Sequence, residues 1–252
     1  MIESFEGKTY IVTGASSGIG RAVCIELSRQ KANVVMIARN EEKLNDTLTK
    51  METGNHMLIS FNLSDIEKIE EILADVHEKY EVIDGIVYCA GINHNTKLKK
   101  TTYEVLHSVM LVNYYAFIEL VRCEIDRKSK DYPSRIVVIS SAASILDSKD
   151  NLAYSASKAA VESAVRVLST ELRKKNTNIN AIRSAYVETE MLEGKLINLF
   201  YEDFSEHIKQ SFQPLGLIDP FDVAKMSLYL LSDAAKSITG MHIPINGGVR
   251  WH

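Results

Sequence analysis

Short apolar, β-branched runs alternate with amphipathic stretches along most of this chain, and this alternation constrains its fold more than any other feature. The predicted strands are residues 8–14, 32–38, 56–61, 84–91, 134–141, 178–185 and 241–245. The predicted helices are residues 18–31, 41–52, 64–80, 101–128, 153–175, 188–212 and 221–232. Most strand runs lack alternating polar residues, which is typical of strands buried on both faces of a parallel sheet. The pattern therefore predicts an α/β fold with a doubly wound parallel sheet of seven strands and helices on both faces.

No linker interrupts this pattern: the 252 residues contain no Pro/Gly/Ser-rich stretch, low-complexity tract or internal repeat. With 46% hydrophobic and 25% charged residues, the chain has enough apolar material for one sizeable core. We therefore predict a single domain over residues 1–252. The N-terminal stretch MIESFEGKTY has no apolar segment and no apolar run reaches about 18 residues, so we expect neither a secretory signal nor a membrane span.

Charge and cysteine content exclude several classes of function. The formal net charge is -4, which does not suit binding to nucleic acid or to an anionic membrane. The three cysteines lack C-x-x-C spacing and the seven histidines lack an H-E-x-x-H motif, so neither a disulfide framework nor a metal centre is predicted. A cytoplasmic protein with a small-molecule partner fits these features best.

A glycine-rich loop, TGASSGIG, lies between the first predicted strand and the first predicted helix. Gly14 and Gly18 let the main chain approach a phosphate, and Gly20 permits close packing of helix on strand. The helix that follows would offer free N–H groups and a partial positive charge to a pyrophosphate. The spacing differs from G-x-G-x-x-G and lacks the GK[ST] of a P-loop. In this setting it predicts dinucleotide binding, with a purely structural turn as the alternative.

The end of the second predicted strand bears on the choice of dinucleotide. An acidic residue there would accept hydrogen bonds from the ribose 2′-hydroxyl of NAD. The strand instead ends in Ala38-Arg39-Asn40, and an arginine can hold a 2′-phosphate through two hydrogen bonds. We therefore predict NADP(H), with NAD(H) as the second choice. The alternative is a solvated Arg39 paired with Glu41 or Glu42.

Tyr154 and Lys158 are four residues apart in the helical stretch NLAYSASKAAVE, which places them on one face among small residues. A free tyrosine has a pKa of about 10, and a nearby ammonium group favours its phenolate form. Ser140 and Ser141 end the fifth predicted strand, at the edge where open α/β sheets bind ligands. A serine there could hydrogen-bond a substrate carbonyl oxygen as charge develops on it. These residues predict acid/base chemistry at a carbonyl.

Taken together, these motifs resemble the short-chain dehydrogenase/reductase family in its compact single-domain form, with a general likeness to 3-oxoacyl-carrier-protein reductases. The resemblance covers about residues 7–248: TGASSGIG matches TGxxxGxG, YSASK matches YxxxK, and Ser141 stands in the catalytic serine position. Asn113 in LVNYYAF matches an asparagine that kinks a helix and anchors a water chain to the lysine. The resemblance implies a Rossmann-type sheet of order 3-2-1-4-5-6-7 and assembly into homotetramers or homodimers.

The resemblance also implies a mechanism. Hydride passes between the nicotinamide and a carbonyl or secondary alcohol carbon, Tyr154 is the general acid/base, Ser141 polarises the oxygen, and Lys158 binds the ribose and lowers the pKa of Tyr154. Asn113 completes the implied catalytic set. The implied cofactor-binding residues are Gly14, Ser16, Ser17, Gly18, Ile19, Gly20, Arg39, Asn62, Leu63, Ala90, Gly91, Tyr154, Lys158, Val187 and Thr189.

Three loops depart from the family pattern. The usual NNAG is here YCAG, with Cys89 interpreted as a buried small side chain or, alternatively, a reactive thiol. Asn62 replaces an aspartate that contacts adenine, and Ser184-Ala185 replaces Pro-Gly. These departures motivate a second hypothesis, a catalytically impaired dinucleotide-binding sensor or scaffold. The intact serine, tyrosine, lysine and asparagine motifs oppose it.

Substrate identity is left open between sugar-nucleotide, polyol, steroid-like and acyl carbonyl compounds. Residues 186–213 match the segment that closes over substrate in the family. The aromatic side chains between Met191 and Gln213 would line a pocket or pack an amphipathic helix, and they are Phe200, Tyr201, Phe204 and Phe212. His94 would contact substrate or be a solvated loop residue. The basic run from Lys97 to Lys100 would be a solvated helix start or an attractor of a phosphorylated or acyl-carrier substrate.

Overall fold

The computed structural model describes residues 4–146, 148–192, 206, 208–210 and 212–249. Its centre is a seven-stranded sheet in the order β3-β2-β1-β4-β5-β6-β7, with every neighbouring pair parallel. The strands are β1 (Thr9–Thr13), β2 (Asn33–Ala38), β3 (Met57–Ser60), β4 (Gly85–Tyr88), β5 (Ser134–Ser141), β6 (Thr177–Ser184) and β7 (His242–Ile245). The predicted fold class and strand order are confirmed.

Helices cover both faces of the sheet. In chain order they are α1 (Gly18–Arg29), α2 (Glu41–Leu48), α3 (Ile69–Lys79), α4 (Tyr103–Met110), α5 (Ala116–Arg127), α6 (Leu152–Glu171) and α7 (Pro220–Leu231). Side-chain caps define several starts: Asn40 accepts a hydrogen bond from the Lys43 amide at α2, and Asp219 accepts one from the Phe221 amide at α7. Such caps satisfy main-chain N–H groups that have no partner within the helix.

Strand β2 shows why the strands are apolar on both faces. Val35 and Ile37 pack into one core with side chains of α3, α5 and α6. Val34 and Met36 point to the opposite face and pack with side chains of α1, α2 and α7. Because successive side chains of a strand alternate between faces, an unbroken apolar run is what a sheet covered on both sides requires.

The long helix predicted over residues 101–128 is interrupted. Five residues, Leu111–Tyr115, form a π-helical turn between α4 and α5, and Asn113 is buried within it. Such a turn inserts one extra residue into a helix and is frequent at functional sites. The interruption is at the position where the family resemblance implied a kink.

The stretch Tyr103–Arg127 is apolar and long enough to cross a membrane by length and composition alone. Its inward face, including Phe117, Leu120 and Val121, packs into the core beside the sheet. Core helices of soluble proteins pass the same test, so this stretch is weak support for a membrane span.

The helix predicted over 188–212 falls largely outside the described residues, since 193–205, 207 and 211 are not among them.

Candidate active site

A cavity of about 580 Å³ extends across the carboxyl ends of the central strands. In open α/β sheets this edge is where ligands bind. Its lining contains the predicted residues Gly14, Ser16, Ser17, Gly18, Ile19, Gly20, Arg39, Asn62, Leu63, Ala90, Gly91, Ser141, Tyr154, Lys158, Val187 and Thr189. Asn113, the remaining predicted site residue, is buried beneath the site rather than in its lining.

The glycine loop has no room for side chains at two of its positions. A Cβ on Gly20 would lie 2.2 Å from the Gly14 main-chain oxygen, and one on Gly14 would lie 2.9 Å from the Ala90 nitrogen. Gly14 also has a φ of +65°, which L-residues with side chains rarely adopt. The bare main chain therefore forms a cradle beside the start of α1, which fits the pyrophosphate of a dinucleotide.

Thr13 holds the two strands that flank this cradle together. Its Oγ1 accepts hydrogen bonds from the amides of Cys89 and Ala90, at 3.2 and 3.1 Å. Main-chain donors of the YCAG loop are thus joined to the end of β1. Sequence reasoning missed Thr13, although its place at the end of β1 was a usable signal.

A carboxylate lies at the start of α1. The Gly18 amide donates a hydrogen bond to Glu190 Oε2 at 3.1 Å, and Arg21 Nη1 is 3.7 Å from Glu190 Oε1. Anions are stabilised at this end of a helix. The prediction that this end of the helix offers free N–H groups is therefore wrong for Gly18, because its amide donates to the Glu190 carboxylate. Sequence reasoning missed Glu190.

Arg39 is exposed at the end of β2, beside the cavity. Its main-chain oxygen accepts a hydrogen bond from Ser60 Oγ at 3.2 Å, which fixes the strand end. Across the described ranges, no ion pair joins it to Glu41 or Glu42. Lys43 also lines this part of the cavity and adds a second positive charge.

Ser141, Tyr154 and Lys158 come together at the other end of the cavity. Ser141 ends β5 and makes a side-chain hydrogen bond with Tyr154 on α6. Lys158 Nζ donates to the Ile139 main-chain oxygen at 2.7 Å and lies 5.6 Å from the centroid of the Tyr154 ring. The three groups are therefore within reach of one small ligand.

Burial dominates the acid/base properties of this cluster. It raises the pKa of Tyr154, and the hydrogen bond with Ser141 offsets only part of that rise. It lowers the pKa of Lys158 to about 8, against the opposing effects of Cys89 and Glu162. A low-dielectric site penalises whichever form carries charge. For the protein alone, the family-based expectation of a lowered tyrosine pKa is therefore corrected, since burial outweighs the hydrogen bond with Ser141.

Asn113 stabilises the site through hydrogen bonds of its buried side chain. Its amide nitrogen donates to the Ile92 main-chain oxygen at 3.0 Å and to Ser157 Oγ at 2.9 Å, while its oxygen accepts from the Ile92 amide at 2.8 Å. Ser157 in turn donates to the Tyr154 main-chain oxygen at 2.7 Å. Asn113 thus connects the π-helical turn, the segment after β4 and helix α6.

Cys89 has the properties of a neutral, unreactive thiol. Burial raises its pKa to about 12, although Lys158 acts in the opposite direction. A thiol is nucleophilic only as the thiolate. This favours the interpretation of Cys89 as a small packed side chain.

Gln213 stabilises the loop in which Ser184-Ala185 replaces Pro-Gly. This fully buried side chain accepts a hydrogen bond from the Tyr186 amide at 3.0 Å, donates to the Tyr186 oxygen at 3.0 Å and also donates to the Gly216 oxygen. Phe212 lines the cavity and packs edge-on against Tyr186. No sequence signal marked Gln213, because its partner Tyr186 lies 27 residues away.

The remaining candidates have less defined places. Phe200, Tyr201 and Phe204 lie outside the described residues. His94 is exposed and, within the described ranges, is not part of the cavity lining. In the same part of the chain, no group of three or more His, Cys, Asp or Glu side chains is placed to hold a metal ion.

Comparisons with known proteins agree with this geometry. Residues 14–250 match a family model described as "Enoyl-(Acyl carrier protein) reductase". The chain is 32% identical to a 3-oxoacyl-[acyl-carrier-protein] reductase of Thermotoga maritima, over 97% of this chain and 98% of that protein. It is also 32% identical to an L-xylulose reductase of Caenorhabditis elegans, over 97% and 96% of the two chains. An NAD-dependent glycerol dehydrogenase of Listeria innocua is 30% identical over 96% and 93%.

Solved structures give the same result. A short-chain type dehydrogenase/reductase from Mycobacterium ulcerans superposes with a TM-score of 0.89 at 25% identity, covering 98% of this chain and 90% of that one. A dehydrogenase/reductase from Sinorhizobium meliloti gives 0.87 at 28% identity, covering 97% and 96%. The fold, the glycine cradle and the matched relatives together place this chain in the short-chain dehydrogenase/reductase family, whose members are oxidoreductases that transfer hydride with a nicotinamide dinucleotide.

Proposed function

We propose that this protein is an NADP(H)-dependent reductase of small carbonyl compounds, working reversibly on the corresponding secondary alcohols. The observation that carries the proposal is the convergence of Ser141, Tyr154 and Lys158 at one end of a cavity whose other end is the glycine cradle. One continuous space of this size can hold a dinucleotide and a small substrate side by side.

The nicotinamide, when bound, supplies or accepts the hydride. The protein's own residues handle the proton and the oxygen. Ser141 hydrogen-bonds the substrate oxygen, and Tyr154 gives its proton to that oxygen during reduction and takes it back during oxidation. Lys158 holds a positive charge close to the Tyr154 ring, at 5.6 Å, which stabilises the phenolate left after proton transfer.

The raised pKa of Tyr154 suits the proton-donating half of the proposed reaction. Burial raises this pKa, so the phenol of the protein alone holds a proton that it can donate to a substrate oxygen. Expected contributions from such a positioned proton donor are about 100-fold to 10,000-fold in rate.

The charges at the end of β2 support NADP(H). Arg39 and Lys43 line the cavity there, and the strand end carries no carboxylate for a ribose 2′-hydroxyl. The glycerol dehydrogenase relative is NAD-dependent, so the choice needs its own test. We expect Arg39→Ala to weaken NADPH binding by about tenfold or more and NADH binding by less than about twofold. Equal losses for both would remove the 2′-phosphate argument.

The relatives and the lining of the cavity support a substrate class. The named relatives include reductases of a 3-oxoacyl thioester and of L-xylulose, and a glycerol dehydrogenase. We propose a compact carbonyl compound because Leu146, Tyr186 and Phe212 line the space beside Ser141 and Tyr154.

We also propose that residues 1–252 form one domain, with 186–213 covering the substrate, in a cytoplasmic homotetramer or homodimer. Light scattering on the purified protein tests the assembly.

The experiment for the main proposal has two stages. NADPH is titrated by fluorescence, and then acetoacetyl-CoA, L-xylulose and dihydroxyacetone are offered at saturating NADPH. We expect binding, and turnover of at least one compound that Tyr154→Phe abolishes without loss of NADPH affinity. Tight NADPH binding with no turnover by the wild type would favour the dinucleotide-binding sensor instead. Turnover that survives in Tyr154→Phe would remove tyrosine from the proton-transfer role.

A further inference from the structure

One buried glutamate joins several segments around the candidate active site. Glu162 lies on α6, one turn beyond Lys158, and is only 4% exposed. Its Oε1 accepts hydrogen bonds from Ser140 Oγ at 2.8 Å and Ser144 Oγ at 2.7 Å. Arg183 on β6 adds two more, from Nε to Oε1 at 2.9 Å and from Nη2 to Oε2 at 2.6 Å.

Strand β7 is also attached to this residue. His242 Nε2 is 2.9 Å from the Glu162 main-chain oxygen, and His242 Nδ1 is 3.7 Å from Glu162 Oε2. Burial lowers the pKa of His242 despite the nearby carboxylate, so the ring is neutral at neutral pH. The charge of Glu162 is therefore balanced by Arg183.

The carboxylate is ionised in place. Burial by itself would raise the pKa of Glu162, but the hydrogen bonds from Arg183, Ser144 and Ser140 outweigh burial and lower it. A buried ion pair of this kind contributes little net stability compared with an apolar core of the same shape. It does fix geometry, because each hydrogen bond constrains distance and angle.

The segments held by Glu162 carry the acid/base cluster. Ser140 and Ser144 lie on either side of Ser141, at the end of β5 and in the turn Ala142–Ser144 that follows it. Tyr154, Lys158 and Glu162 are spaced by four residues and share one face of α6. We propose, resting on the function above, that Glu162 is a positioning residue that holds the strand end carrying Ser141 against the helix face carrying Tyr154 and Lys158.

The test compares Glu162→Gln with Glu124→Gln, a matched control. Glu124 is also a buried glutamate, 1% exposed, with His77 at 2.9 Å, but it lies on α5 and does not line the cavity. Amide hydrogen exchange is followed for a peptide covering residues 140–146. We expect faster exchange there in Glu162→Gln only. Equal exchange in wild type and Glu162→Gln would overturn the proposal, whether or not a substrate is known.

Kinetics provide the second readout, at a temperature where thermal melts show both variants folded. We expect Glu162→Gln to lower kcat by at least about tenfold while the NADPH dissociation constant stays within about twofold, since displacements near 1 Å cost about this much or more. Glu124→Gln should keep both. A fall in kcat no larger than that of Glu124→Gln would also overturn the proposal.

The pH profile tests the electrostatic contact between Glu162 and Lys158. The charged and titratable groups facing Lys158 are Tyr154 and Glu162 on its own helix and Cys89 on the loop after β4. Because Glu162 raises the pKa of Lys158, Glu162→Gln should move the alkaline fall of kcat to lower pH, and Glu124→Gln should not.

If Glu162→Gln fails to fold, the double variant Ser140→Ala/Ser144→Ala keeps the ion pair and removes only the two serine contacts. We expect the same faster exchange over residues 140–146, and unchanged exchange in that variant would overturn the proposal. A wild type that reduces no compound would refute the proposed function, while the exchange comparison would still decide the positioning role.

Discussion

Replacing Gly20 with alanine tests the packing of α1 on β1 that forms the glycine cradle. The new Cβ would lie 2.2 Å from the Gly14 oxygen and 2.6 Å from the Gly14 carbonyl carbon. Comfortable contact between such atoms is about 3.5 Å, so the helix must move by roughly 1 Å. The obstacle is main chain, which cannot rotate aside as a side chain would.

The size of the effect follows from that overlap. Overpacking costs typically about 1–3 kcal/mol, and the rigid obstacle places Gly20→Ala at the upper end. In a chain of this length each kcal/mol lowers Tm by about 2–4 °C, so we expect a decrease of roughly 4–12 °C. We also expect NADPH affinity to fall by at least about tenfold, because the moved main chain no longer fits the pyrophosphate.

Thermal denaturation and NADPH titration measure the two effects. Gly54→Ala is the control, because its Cβ would meet only the His56 ring, at 2.8 Å, in an exposed loop. That variant should retain NADPH affinity and lose less than about 1 kcal/mol of stability, about the net contribution of one hydrogen bond of the His56 ring. Wild-type Tm and affinity in Gly20→Ala would refute the close-packing argument.

Three further outcomes are expected. Glu190→Gln should tighten NADPH binding, because the Glu190 carboxylate accepts a hydrogen bond from the Gly18 amide at 3.1 Å and so competes with a phosphate for that donor. Unchanged or weaker binding in a titration would contradict this. The rate of reduction should fall as pH rises through about 8, the pKa of Lys158, because the buried ammonium loses its charge; a rate that stays flat to pH 10 would be inconsistent with that role. Thr13→Val should lower Tm by several degrees, as the amides of Cys89 and Ala90 lose their acceptor; a scanning calorimetry trace like that of the wild type would refute it.

The fold was predictable from the sequence because its signals are local. Most strand runs are apolar on both faces, as β2 shows, and this property needs no knowledge of distant residues. The glycine loop and the Tyr154–Lys158 pair are likewise short motifs whose spacing carries their geometry.

The contacts that sequence reasoning missed join distant residues. Glu190 and Gly18 are 172 residues apart, and Glu162 and Arg183 belong to different elements. No spacing rule brings such pairs together, because only the order of strands in the sheet determines which segments meet. The acid/base properties of the site also depend on distant residues. The sequence identified Tyr154 and Lys158, but the direction in which the pKa of Tyr154 shifts depends on burial, which the motif does not encode.

Transfer of a labelled hydride tests the central claim most directly. The protein is incubated with NADPH that carries deuterium at both C4 positions of the nicotinamide and with each of acetoacetyl-CoA, L-xylulose and dihydroxyacetone, and the products are analysed by mass spectrometry. We predict an alcohol that carries one deuterium on the former carbonyl carbon with the wild type, and no labelled alcohol with Tyr154→Phe at matched NADPH occupancy. An alcohol without deuterium, or labelled alcohol formed equally by both proteins, would contradict the account.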